Sequence, residues 1–232
     1  MNSADVSPAG PVSGGGAALP KPMSRIQAAA TYVPATTTLA VAVAVVAAID
    51  IDSASITMDT TAYLGAHPLT GALSNLGILL WCAAASISMF AALLAQRAGS
   101  ADRARFLLAS SLLTFYLLFD DLFLLHEDLA WRYLGIGQKT VLVALGAWIG
   151  TWLFAFRREI LATNWGTLAM ATALLSTSVL IDLGQSGLQP RIGDWVYLAE
   201  DGAKWLGIVS WCSYLVQTAY RSTLDATAPG AP

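Results

Sequence analysis

Charge is what this chain has least of. Asp, Glu, Lys and Arg make up 12% of its 232 residues, against roughly a quarter in a soluble globular domain. With 56% hydrophobic residues and a mean hydropathy of +0.61, the chain reads as an integral membrane protein with the lipid bilayer as its main partner. A net charge of −3 and no Lys/Arg cluster exclude nucleic acid as a partner. Cysteine is nearly absent, and Cys82 and Cys212 both fall in apolar runs, which reads as inert thiols rather than a disulfide or metal pair. Histidine occurs only as His67 and His126. His67 sits in a loop beside Pro68, so a haem held by two histidines inside the bilayer is excluded. No HExxH, GxSxG or phosphate-binding glycine loop is present.

Long apolar runs dominate the rest. Six segments are long enough to span, at approximately 33–52, 71–96, 105–128, 139–157, 164–184 and 197–220, since about 20 helical residues cross the hydrocarbon core. A spanning segment must satisfy its backbone internally, so the expected fold is an all-α, polytopic bundle of six transmembrane helices over 32–221. Residues 1–31 and 222–232, rich in Gly, Pro, Ser and Ala, read as disordered tails without a signal peptide. Gly146 and Gly150 in GAWIG have the small-xxx-small spacing of close helix approach.

The basic residues set the expected orientation. Lys21, Arg25, Arg97, Arg103, Arg105, Arg157, Arg158 and Arg221 fall on one side of a six-span topology, and Arg132, Lys139 and Arg191 on the other. By the positive-inside rule both termini are expected in the cytoplasm of a bacterial-type inner (plasma) membrane. Trp131, Tyr133, Trp195 and Tyr197 suit aromatic anchors on the outer side.

With that topology the acids gather at the outer leaflet. The segment LLFDDLFLLHEDLAW (117–131) carries Asp120, Asp121, His126, Glu127 and Asp128. Asp182 ends the fifth span, and Glu200, Asp201 and Lys204 open the sixth. Ser74 and Asn75 lie one turn into the second, and Asp50 and Asp52 close the first. Asp120 lies eleven residues before Trp131, roughly 16 Å deep at 1.5 Å per residue. An ionised Asp there costs about 2.5–3.5 kcal/mol on insertion scales, so Asp120 and Asp121 need partners. On a continuous helix Asp120, His126 and Glu127 share a pocket, while Asp121 and Asp128 face another neighbour. Lys204 has two readings: an intrahelical pair with Glu200 (i,i+4) or Asp201 (i,i+3), or a counter-charge to the carboxylates of the third span. Asp182 either joins this cluster or is solvated, and Ser74 and Asn75 read as interhelical hydrogen-bonding residues of the same polar pocket.

This pattern carries three expectations. The first is a divalent-metal site for Zn, Mn or Fe built on Asp120, His126, Glu127 and Glu200, hydrolysing a lipid-like substrate, with Asp120, Asp121 and Glu127 catalytic. The second is a proton or cation conductor using the carboxylates as a relay. The third is a non-catalytic subunit of a larger membrane complex. The order Ser74, Asn75, then Asp and His in the third span resembles the alkaline-ceramidase-like membrane hydrolases, which use a Ser, an Asp and three His around zinc. Two histidines cannot build that triad, and Glu200 stands where that family would place its histidine pair.

Overall fold

The computed structural model describes residues 25–49 and 51–227, and every regular element among them is helical. They fall into two compact units that divide between Thr70 and Gly71. The expected N-terminal tail up to residue 24, Asp50 and residues 228–232 lie outside the described residues. A helix begins at Arg25, and the last one continues through Thr227.

The first unit holds α1 (Arg25–Ile49), α2 (Ala54–Thr57) and α3 (Thr60–Leu64). Asp59 caps α3, its Oδ1 accepting from the backbone N–H groups of Thr61 (2.9 Å) and Ala62 (3.2 Å) and from the Thr61 hydroxyl. These bonds hold its carboxyl below the ordinary value, the Thr61 hydroxyl contributing most. His67 is exposed, and its Nδ1 accepts from the Leu69 N–H at 3.2 Å.

The second unit is built on α4 (Ala72–Arg97), α5 (Ala101–Phe123), α7 (Gln138–Ala155), α9 (Trp165–Ile192) and α10 (Trp195–Thr227). A π-helical segment (Leu125–Leu129) and α6 (Ala130–Leu134) follow α5, and α8 (Arg157–Leu161) follows α7. Helices pack extensively in the order α5, α4, α10, α9, while α7 touches mainly α5, α6 and the π-helical segment. Small residues permit the close contacts. Ala84, Ala85, Ala91, Ala92 and Ala95 are buried along α4. A Cβ on Gly207 would sit 2.8 Å from Leu175 Cγ, and one on Gly77 would sit 2.9 Å from Ile208 Cδ1. The expected close approach at Gly146 and Gly150 is not made, because a Cβ on either would meet nothing within 4 Å.

Aromatic rings fill the interior. Trp211 is fully buried, with ring centroids 6.0 Å from Trp81 and 5.6 Å from Trp152, and its Nε1–H donates to Thr114 Oγ1 at 3.0 Å. The buried hydroxyls of α5 are satisfied by helix carbonyls: Ser110 by Phe106 O and Ser111 by Ala85 O on α4, both at 2.7 Å. Such bonds remove the cost of hydroxyls in an apolar interior.

Among the described residues, four helices are long and apolar enough to cross a membrane: Ala28–Ile49 within α1, and α4, α5 and α9. The remaining two of the six expected spans correspond to α7 and α10, which do form long helices. Their polar ends set them apart, with Gln138 and Lys139 opening an 18-residue α7 and Glu200, Asp201 and Lys204 in the early turns of α10. Outer faces of the long helices are apolar, with Leu79, Phe90, Val143, Phe154 and Met170 exposed.

Candidate functional site

The site begins where α5 stops. The sequence pattern suggested one continuous helix over 105–128, but Leu124 takes a left-handed conformation (φ 51°) and ends α5 at Phe123. Leu124 lacks the freedom of glycine at positive φ, so something must hold it there. Asp120 does so from below. Its Oδ1 accepts the backbone N–H of His126 at 3.0 Å, and its Oδ2 lies 2.7 Å from His126 Nδ1. One carboxylate therefore caps the π-helical turn and orients its imidazole together. The expected grouping of Asp120 with His126 is present, but through this break rather than along a helix face.

Where the carboxylate acts as the acceptor, the His126 ring carries its hydrogen on Nδ1 and a neutral ring leaves Nε2 with its lone pair. Glu127 Oε1 lies 3.6 Å from that Nε2, too far for a hydrogen bond. Asp120 is 6% exposed, and Asp128 turns away to an exposed pair with Arg132 at 2.9 Å, which raises the Arg132 pKa.

Asp121 points across to α10, where its Oδ1 is paired with Lys204 Nζ. Their side chains are 6% and 28% exposed respectively. Of the two readings of Lys204, the structure takes the cross-helix one. No ion pair joins Lys204 to Glu200 or Asp201 among the described residues. The other oxygen, Asp121 Oδ2, is buried and has no hydrogen-bond partner.

These groups line one cavity of about 380 Å³ within the second unit. Asp120, Asp121, His126, Glu127, Asp182, Glu200 and Lys204 are its titratable lining, beside the hydroxyl residues Thr172, Ser176 and Ser178. Leu142, Leu145, Ile149, Leu175 and Val179 form its apolar part, with Trp81 and Trp211. Two glutamines missed at the sequence level brace the acids: Gln138 Nε2 donates to Asp182 Oδ2 at 2.8 Å, and Gln185 Nε2 to Glu200 Oε2 at 3.4 Å. Nothing local marked Trp81 or Trp211 as cavity walls.

Three expected pocket residues stand elsewhere. Ser74, Asn75 and Asp201 are exposed and do not line the cavity. Ser74 and Asn75 open α4 on its outer face, and Asp201 follows Glu200 by one residue and so projects to a different side of α10. The expected metal grouping of Asp120, His126, Glu127 and Glu200 is not assembled either. Among the described residues no three His, Cys, Asp or Glu side chains are set to hold a metal ion. Asp120 spends both oxygens on His126, and the Glu200 carboxylate turns to Gln185 instead.

With this geometry in view, comparison with known proteins gives one positive result. Residues 35–218 match the family described as a domain of unknown function, DUF8692. The chain belongs to that family. The matched region takes in every residue lining the cavity, from Trp81 to Trp211. No curated protein and no solved structure matched the chain.

Proposed function

We propose that this is a multi-pass protein of a bacterial-type inner (plasma) membrane, with six crossings and both termini cytoplasmic, that hydrolyses a lipid-like substrate by acid–base catalysis in the α5–α9–α10 cavity. The observation that carries the reading is the Asp120–His126 pair on the wall of a cavity that is polar on one side and apolar on the other. Asp120 fixes the tautomer, which leaves Nε2 free to take a proton from water. The resulting hydroxide attacks the substrate carbonyl, and the imidazolium returns the proton to the leaving group. Apolar lining suits the substrate's hydrocarbon part. The six-crossing topology rests on the lengths of α7 and α10 and on the distribution of Lys and Arg.

The conductor reading finds less support. Beyond the cavity, toward the start of α5, the hydroxyls of Ser110, Ser111 and Thr114 donate to backbone carbonyls rather than to one another. Proteoliposome flux that falls in Asp121→Asn would favour conduction instead.

The hydrolase reading is tested with purified protein in vesicles against lipid-derived esters and amides. His126→Gln is expected to lower kcat by about a hundredfold or more, with Asp120→Asn close behind because the tautomer is lost. Unchanged kcat in His126→Gln overturns the reading. Chelation separates the roles of imidazole and metal. Activity that survives EDTA supports His126 as the base; activity lost to EDTA and restored by Mn, Fe or Zn assigns the water to a metal.

A further inference from the structure

We propose that the cavity binds a single-chain amphiphile whose headgroup carries a positively charged nitrogen; this rests on the reading of the cavity as a substrate site. Three features point to that class. The first is charge. Five carboxylates (Asp120, Asp121, Glu127, Asp182 and Glu200) face one ammonium and one imidazole in the lining. The ammonium, Lys204, is already engaged by Asp121. An anionic headgroup would enter against uncompensated negative charge at low dielectric, where like charges repel most strongly.

The second feature is an unfilled acceptor. Asp121 is 6% exposed and lines the cavity, and its Oδ2 is buried without a hydrogen-bond partner. A buried carboxylate oxygen left unsatisfied is costly. This oxygen sits beside Gly77 of α4, and a cationic N–H donor that reached it from the cavity would satisfy it, whereas a headgroup without hydrogen to donate would not.

The third feature is the mouth. Gly146 on α7 and Leu180 on α9 both line the cavity and are both exposed, Leu180 at 68%. Helices α7 and α9 are not closely packed on one another there; Gln138 and Asp182 bridge them at one end. The opening is therefore flanked by apolar helix faces, which suits entry of a hydrocarbon chain from within the bilayer. A volume of about 380 Å³ lies near the lower end of small-molecule sites, roughly 300–1,000 Å³, and fits one short chain.

The test measures binding rather than turnover. Protein in nanodiscs is titrated with decylamine, decanol and decanoate at neutral pH, with empty nanodiscs as the partition control. Tryptophan fluorescence is the readout, since Trp81 and Trp211 line the cavity. Decylamine is expected to bind at least tenfold more tightly than either competitor. That preference should fall toward parity in Asp182→Asn, in Glu200→Gln and in the double variant, while decanol affinity stays constant and reports an intact cavity. Gly146→Phe, placed where a Cβ meets nothing within 4 Å, should weaken all three ligands together. Equal binding of decanoate, a preference that survives the neutralised variants, or displacement of decylamine by equimolar Mg²⁺ overturns the proposal. Absence of the preference in the unmodified protein, with its hydrolysis intact, overturns this inference alone. A preserved preference with no hydrolysis overturns the hydrolase reading alone.

Discussion

Two adjacent aspartates on α5 solve the same burial problem in different ways. Asp120 is satisfied within its own segment by the backbone and ring of His126, while Asp121 pairs one of its oxygens with Lys204 of α10. Removing one member of a buried pair leaves an uncompensated charge, which costs about 3–5 kcal/mol. With Lys204 partly exposed, Lys204→Met should lower stability by about 3 kcal/mol, read as the thermal midpoint in detergent. Adding Asp121→Asn to that background should restore most of the loss; no recovery would mean that Lys204 acts through packing alone. The need for partners at Asp120 and Asp121 was legible from depth and hydropathy. The choice of partner was not, because Glu200 and Asp201 stand at helical spacings from Lys204 that are as favourable as a cross-helix contact. Burial decided it: Asp121 is the most enclosed of these acids with an oxygen to offer.

At the level of elements, the break at Leu124 is the least predictable feature. The run 105–128 is apolar and free of Gly and Pro near 124, so nothing local announces an end. Left-handed backbone at a non-glycine residue costs of order 1–2 kcal/mol. Leu124→Gly should therefore raise stability by up to about 1 kcal/mol, provided that the turn keeps its Asp120 bonds. Asp120→Ala should act in the opposite direction and release the π-helical turn, visible as faster amide exchange at His126. A second element-level prediction concerns Gly207→Ala, which brings a Cβ to 3.1 Å from the backbone N of Leu175. Forcing α9 and α10 apart should cost about 1–3 kcal/mol, whereas Gly150→Ala should be close to neutral. Sequence pattern pointed to the wrong glycines here, since spacing alone does not say which face meets a neighbour. In the first unit, Asp59 gives a pH test. Its carboxyl lies below the ordinary value, so its contribution to α3 is complete above that value and is lost as pH falls through the lowered one. Exchange of the Thr61 and Ala62 amides should stay protected at mildly acidic pH and accelerate only in stronger acid; Asp59→Ala should remove that dependence.

For the molecule as a whole, the helical class and the long apolar helices could be read from composition before any coordinates. So could the acid-rich ends of the segments that become α5, α9 and α10, because each apolar run is interrupted by charge in the same half of the expected topology. The proposed six crossings are open to direct measurement. With Cys82 and Cys212 replaced by serine, single cysteines at positions 100 and 162 should react with an impermeant thiol reagent only from the cytoplasmic side, and those at 136 and 193 only from the outside. Labelling of 136 and 162 from the same side would remove the α7 crossing. What the amino-acid order determined alone was solvent preference: where hydrocarbon could surround the chain and where a charge needed a partner. Those are properties of each segment and its surroundings, summed locally. The cavity, the Asp120–His126 alignment and the Asp121–Lys204 pair were decided by tertiary structure. They depend on how α5 ends, on which small residues let α10 approach α4 and α9, and on the gap left between α7 and α9, and no single segment encodes any of these distances.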